Sequence, residues 1–310
     1  MCFAYACMII SLLLLRTVGW GQNGHYIAAT VGRAFLNQSG RRVVERLLGP
    51  GELDLDSSLL EASVWPDRIS RNPAYLWTAP LHYMHIPARA CEWFGTENEA
   101  RLISSGASNI IGGISKFVEV VLDEVADAKQ REEGLKFLIH LLSDLNQPLH
   151  VGRREDKGGS RLIVTPPWDH EFSKSGKTVP APRPRHLHSL WDTHILEYTY
   201  ASLGLDWNRL AEKLISDIRA GLYANSYPLL GGDLVGNAVT RAQESSRLAK
   251  RAAYIHEGRP ILNFDKLPKT YYEHSSQVIL QQLAKSGLDI AHTLNLIGEK
   301  LYRETGTESG

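Results

Sequence analysis

The chain has 310 residues, 43% of them hydrophobic and 22% charged, enough for a sizeable core in one large or two small domains. Lys plus Arg and Asp plus Glu each total 34, so the formal net charge is zero. That balance argues against a protein that holds polyanions by bulk charge, and any attraction to phosphate must be local.

Residues 1–19 contain the apolar run Ala6 to Leu15, short for a bilayer span, followed by Arg16-Thr17-Val18-Gly19. Small residues at Thr17 and Gly19 suit signal-peptidase cleavage before Trp20, although no Lys or Arg precedes the apolar run. An uncleaved membrane anchor is the alternative. Cleavage would remove Cys2 and Cys7 and leave Cys91 alone, so no intramolecular disulfide is expected. Cys91 itself reads as a small buried residue rather than a nucleophile. The expected mature form, residues 20–310, is secreted or periplasmic, monomeric and not membrane-bound. The lack of disulfide-forming cysteines leans towards a periplasm. Asn37-Gln38-Ser39 is formally a glycosylation acceptor, of consequence only in a eukaryotic secretory pathway.

Helical periodicity dominates the rest of the chain. Ile110, Ile111, Ile114, Phe117, Val118, Val121, Leu122 and Val125 fall at helical spacing. Leu135 to Leu145 is a second such stretch, stopped by Asn146-Gln147-Pro148 because the residue before proline avoids the helical region. Arg161 to Thr165 is the best strand candidate and predicts a small hairpin. Residues 174–185 read as a proline-rich loop with four positive charges and no acid, solvated or in contact with strand phosphates. Leu210, Leu214, Ile218 and Leu222 repeat the helical pattern, and Ser275 to Tyr302 closes the chain as one long or two shorter helices. No repeat or linker divides the chain, which predicts one mainly α domain with a small β-hairpin.

The chain has 12 His, six of them between positions 140 and 194. His140 and Asp144 are four residues apart on an apolar-periodic helix, so both leave the same face. His150 follows just past Pro148, and His188 and Asp192 repeat the four-residue spacing around Trp191. One such pair is common on surfaces; two pairs with His150 between them point to a metal centre. Imidazole and carboxylate without thiolate suit zinc in a catalytic rather than a structural role. With His25, Asp67 and His82 the candidates exceed what one tetrahedral ion can take. A multinuclear site is implied, whose natural task is to hold the attacking and leaving oxygens of a phosphoryl displacement.

The stretches WGQNGH, ASVWPD, APLHY, FLIHLLSDLNQPLHVG, DKGGS and HLHSLWD occur in the order found in the trinuclear-zinc type I nucleases. The chain resembles that family, the single-strand-specific nucleases of moulds and bifunctional nucleases of plants, from Trp20 to about Leu301. The resemblance implies a single-domain multi-helix fold of the phospholipase C and single-strand-nuclease kind, and three zinc ions per chain. Asp67, His82 and His140 resemble the ligands of one ion, with Asp144 bridging to a second held by Trp20 and His25. His150, His188 and Asp192 resemble the ligands of the third. A free α-amine at Trp20 can lose its proton to a metal and its carbonyl can close a chelate ring, which independently favours cleavage before Trp20.

The family's chemistry implies cleavage of single-stranded DNA or RNA to 5′-phosphorylated products, with removal of the 3′ phosphate from 3′-nucleotides. A water between the two ions joined by Asp144 is expected to lose a proton near neutral pH and attack phosphorus in line. Asp67 and Asp144 are thus the expected catalytic carboxylates. Tyr83 matches a position on which the family stacks a base. His85 stands where a carboxylate is usual, Ser70 where an Arg is usual, and Ser160 where an Asn follows the paired glycines. Arg71 is the candidate phosphate contact in the place of the missing Arg. Asn146 and His186 replace a usual His and a usual Asn beside the ligands. The closest rival is a zinc phospholipase C, which typically has Glu where Asp192 stands and a longer spacing from its terminal Trp to its first His. A zinc-storage protein without catalysis is the rival of a different class.

Overall fold

The fold is read from a computed structural model that describes residues 20–49, 54–87, 107–168, 170–172, 178–180, 183–223 and 231–302. Residues 1–19, Cys91 and part of the basic loop lie outside the described residues.

Capping residues set most helix starts. Asn37, Asp54, Asn109, Asp127, Asp206 and Asp233 each accept a backbone N–H from the turn they open, satisfying a donor that has no helical partner. The helices they open are α2 (Gln38–Leu47), α3 (Leu55–Ile69), α4 (Ile110–Leu122), α5 (Ala128–Leu145), α7 (Trp207–Arg219) and α8 (Leu234–Leu248). Before them runs α1 (Gln22–Ala34), between α5 and α7 lies α6 (Ile195–Ser202), and the chain closes with α9 (Lys269–Tyr302). Short 3₁₀ helices, Pro73–His82 and Pro148–Val151, lead out of α3 and α5. The strand content among the described residues is three two-stranded antiparallel ribbons. The mainly α expectation holds.

Several boundaries differ from those the sequence suggests. α4 stops at Leu122 because Asp123 turns to an extended conformation (φ −74°, ψ 100°), leaving Val125 95% exposed rather than on the helix. α7 ends before Leu222, since Gly221 takes φ +80°. Ser275 to Tyr302 belongs to one helix that begins earlier, at Lys269. Strand Ile163–Val164 pairs with Arg185–His186 far along the chain instead of closing a local hairpin. The basic segment is accordingly not all loop: Thr178–Pro180 is a strand paired with His170–Phe172. Among the described residues no helix is long and apolar enough to cross a membrane.

Two apolar clusters make up the core. One gathers α2, α4 and α5 through Val43, Ile114, Phe137, Leu138 and Leu141. The other gathers Trp20, Leu187, Trp191, Leu210 and Tyr271. α1 and α9 serve both, with Ala28, Ile290 and Leu294 on the first and Ile27, Val31 and Leu283 on the second. They touch backbone to side chain at Gly287, where a Cβ would lie 2.4 Å from Val31.

The C-terminal turn of α5, which carries Asp144, is held from outside. The carbonyls of Ser143, Leu145 and Asn146 accept from Trp20 Nε1 (3.0 Å), Ser245 Oγ (2.6 Å) and Gln282 Nε2 (2.9 Å). Asn146 also donates to Asp289 Oδ2 at 2.8 Å, and Asp289 is ion-paired with buried Arg241 at 2.9 Å. Asp289→Ala breaks that pair while leaving Arg241 beside Glu244, at 2.9 Å. Removing one member of a buried pair costs about 3–5 kcal/mol, and about 3 kcal/mol is expected here, measured by urea denaturation.

Candidate metal centre

Local structure brings eight side chains from six parts of the chain to one place. His140 and Asp144, one turn apart on α5, have Nε2 and Oδ2 at 3.1 Å. His25, in the first turns of α1, places Nε2 3.4 Å from Asp144 Oδ1 and 4.0 Å from Asp67 Oδ2. Asp67 comes from the end of α3 and His82 from the end of the first 3₁₀ helix. His82 Nδ1 lies 3.0 Å from both Asp144 Oδ2 and His140 Nε2. His150 sits in the second 3₁₀ helix, which Pro148 begins. His188 and Asp192, 3.1 Å apart, flank the start of a π turn over Leu190–His194, a distortion frequent at functional sites.

Three ligand groups result: His25, His140 and Asp144; Asp67, His82 and His140; His150, His188 and Asp192. Within each, the candidate donor atoms lie within 4.8 Å of one another. Asp144 faces two ways, with Oδ1 towards His25 and Oδ2 towards His82 and His140. His140 stands in reach of the first two groups, although the sequence reading assigns it to one.

Backbone carbonyls fix three of the imidazoles. Nδ1–H of His140, His150 and His188 donates to Ser63 O (2.6 Å), His82 O (2.7 Å) and Gly158 O (2.7 Å). In each ring Nε2 is then the nitrogen left for a cation, and it points inward. His25 Nε2, Asp144 Oδ1, His150 Nε2 and His188 Nε2 are buried without a hydrogen-bond partner among the described residues. Buried polar atoms are rarely left so. A cluster of inward lone pairs and carboxylate oxygens, with no thiolate, fits divalent cations.

The electrostatics agree. Burial, then His140, pushes His25 well below the ordinary imidazole range. Burial, then His150, takes His188 down to about 3. Burial raises Asp192 well above the carboxylate range and raises Asp67. Burial opposes Asp144 too, but His140 and His150 outweigh it and hold that carboxyl well below its usual range.

Around this centre Tyr83 and His85 are half-buried and stack on each other, centroids 4.5 Å apart and planes at 12°. Burial, then His150, lowers His85 to about 3. Ser160 is buried, and Arg71 is exposed in the turn beyond α3. Ser70 Oγ donates to Asp67 O at 2.7 Å, inside that turn. Asn146 bonds Asp289 on the far side of α5's last turn, and His186 lies in the ribbon with Ile163.

Sequence reasoning overlooks two supports. Gln147 donates to Asp192 Oδ1 and accepts from Leu149 N, tying the third group to the bend after α5. Gly158 presents its carbonyl to His188 from φ +61°, and a Cβ there would meet His85 Nε2 at 2.6 Å. The paired glycines are the sequence signal for this support; Gln147 has none.

A family model described as S1/P1 Nuclease matches residues 20–299. The chain is similar to Endonuclease 2 of Arabidopsis thaliana, at 26% identity over 94% of this chain and 96% of the relative. It is also 26% identical to Nuclease P1 of Penicillium citrinum, over 90% and 97%. Nuclease S1 of Aspergillus oryzae is 24% identical, over 92% and 93%. These relatives are nucleases, which does not favour the phospholipase reading. With the family model spanning Trp20 to Glu299, this chain belongs to the S1/P1 nuclease family.

Proposed function

We propose that the chain is an exported zinc enzyme that cleaves single-stranded DNA or RNA to 5′-phosphorylated products and hydrolyses 3′-nucleotides. The observation that carries this reading is the inward convergence of partnerless ring nitrogens and carboxylate oxygens in three buried groups. Asp67, His82 and His140 would hold one ion, Trp20, His25 and Asp144 a second, and His150, His188 and Asp192 a third. Bound zinc would supply Lewis acidity to phosphate oxygens and acidify water near neutral pH.

The chain's own part is positioning. Asp144 offers an oxygen to each side, which suits a bridge. Burial keeps His25, His150 and His188 neutral and excludes competing water. Tyr83 offers a ring for an unpaired base, a contact indifferent to base identity. Arg71, His85 and Ser160 are the remaining candidate substrate contacts.

Trp20 is drawn against the centre by its neighbours. Its indole is buried and bonded to Ser143 O, Gly21 N donates to Asp192 O at 2.9 Å, and Gly24 leaves room for Trp20 Cβ. This supports a working unit that begins at Trp20, with 1–19 removed to free its amine; the proposed unit, residues 20–310, is secreted or periplasmic and monomeric.

The test is hydrolysis of single-stranded DNA and of 3′-AMP by protein beginning at Trp20, alongside its metal content. Both activities with about three zincs per chain are expected; no bound zinc would defeat the reading. A two-residue extension before Trp20 should cost one ion and lower kcat about 100-fold or more. Full activity in the extended protein would remove Trp20 from the ligands.

A further inference from the structure

The 3₁₀ helix Pro73–His82 descends from the surface into the metal centre. Its inner column carries Tyr75, Thr78 and Leu81, of which Thr78 and Leu81 are buried. The outer columns run from open to covered: Leu76 and Trp77 are 46% and 49% exposed, His82 is buried and Tyr83 half-buried. Residues three apart eclipse in this helix type, so Trp77 and Pro80 share a side, and the extended capping residue Tyr83 follows directly on the last turn. The rise from Trp77 to Tyr83 is about 12 Å, or about three to four nucleotides stacked at ~3.4 Å.

Trp77 is anchored at the surface. Its ring lies 6.4 and 6.5 Å from Phe117 and Phe137, which stack on each other at 4.5 Å. Exposed Lys116 places Nζ 3.9 Å from the centre of the indole, and no carboxylate among the described residues pairs with it. Glu119, one turn on from Lys116, accepts from Ser115 Oγ at 3.4 Å, Glu133 accepts from Tyr75 Oη at 2.7 Å and Glu132 from Lys136 at 2.5 Å. A half-exposed indole, with an ammonium that no carboxylate among the described residues pairs, therefore stands at the open end of a helix whose other end is a metal-site histidine.

We propose that Trp77 and Lys116 form a strand-binding platform for single-stranded nucleic acid, continuous with the metal centre through Pro80 and Tyr83. An unpaired base stacks on the indole, and Lys116, on its flexible stem, turns from the ring to a backbone phosphate. Stacking tolerates any base but needs one that is unpaired, so the platform favours single strands without reading sequence. Lys116 supplies locally a positive charge that a chain of zero net charge lacks in bulk. The platform rests on the nuclease reading and extends it to nucleotides that the reaction itself does not touch.

The experiment compares a single-stranded 20-mer with a dinucleotide too short to span both places, using the full mature chain. Stacking contacts of this kind are worth about 5- to 150-fold. Trp77→Ala is expected to raise KM for the 20-mer about tenfold while kcat/KM for the dinucleotide stays within about twofold. Trp77→Phe should restore most of the difference. Lys116→Gln should flatten the salt dependence of 20-mer binding by about 0.7 in the log–log slope, the share of one phosphate on a single strand. Equal loss on both substrates, or loss on neither, overturns the platform while leaving the nuclease reading intact. Failure of the unaltered protein to cleave either substrate defeats both.

Discussion

Asp144→Asn is expected to lower kcat on single-stranded DNA by at least about 10³-fold, the equivalent of about 4 kcal/mol of transition-state stabilisation. The side chain is fully buried, with Oδ1 3.4 Å from His25 and Oδ2 3.0 and 3.1 Å from His82 and His140. An amide keeps the shape but removes the charge and turns an N–H₂ towards imidazole lone pairs. It can neither join two cations nor balance them. Because His150, His188 and Asp192 form a separate group, metal content separates bridging from general damage. Asp144→Asn should empty the two groups that share this carboxylate and spare the third, whereas Asp192→Asn should cost one ion only. Retention of all three ions, or of a tenth of the activity, would show that Asp144 does not bridge.

How much could be read in the sequence depends on the range of the forces involved. The His-x-x-x-Asp pairs were legible because helical spacing alone puts residues four apart on one face, and both pairs meet at 3.1 Å. The end of α5 was legible for the same local reason, Pro148. Asp67, His25 and His82 could be gathered only by the ordered resemblance, since no local rule brings α1, α3 and a 3₁₀ end together. The supports of the site were not legible. Three ring orientations depend on carbonyls of Ser63, His82 and Gly158, and a carbonyl leaves no mark on residue identity. The Arg241–Asp289 pair that steadies Asn146 links α8 to α9, and its charges read in the sequence as two ordinary solvated groups. Val125 and Leu222 misled in the opposite direction, because apolar periodicity continues past ends that backbone geometry sets.

Removing metal should change both how stable the protein is and how that stability depends on pH. If three sites are each held at about 100 times their Kd, stripping them costs roughly 8 kcal/mol, a fall in Tm of about 15 °C or more for a chain of this size. In the metal-free chain, burial pulls His140 down, but Asp144 and then Asp67 outweigh it and hold the imidazole up at about 9. A histidine raised in this way stabilises the folded form fully below about pH 6.5, its ordinary value, and the contribution is lost as pH climbs through about 9. Asp192, raised by burial, acts in the same direction, because ionising it in the fold is costlier than in the open chain. The metal-free protein should therefore melt at progressively lower temperature from about pH 6.5 to 9. Metal reverses the slope: loading must displace the proton that His140 holds, so at pH 7 about one proton is released from that ring and affinity rises with pH. Calorimetric titration in buffers of different ionisation enthalpy measures that release, and melting curves with and without chelator measure the two slopes. Parallel slopes, or metal uptake without proton release, would mean that cations do not enter among these histidines and carboxylates.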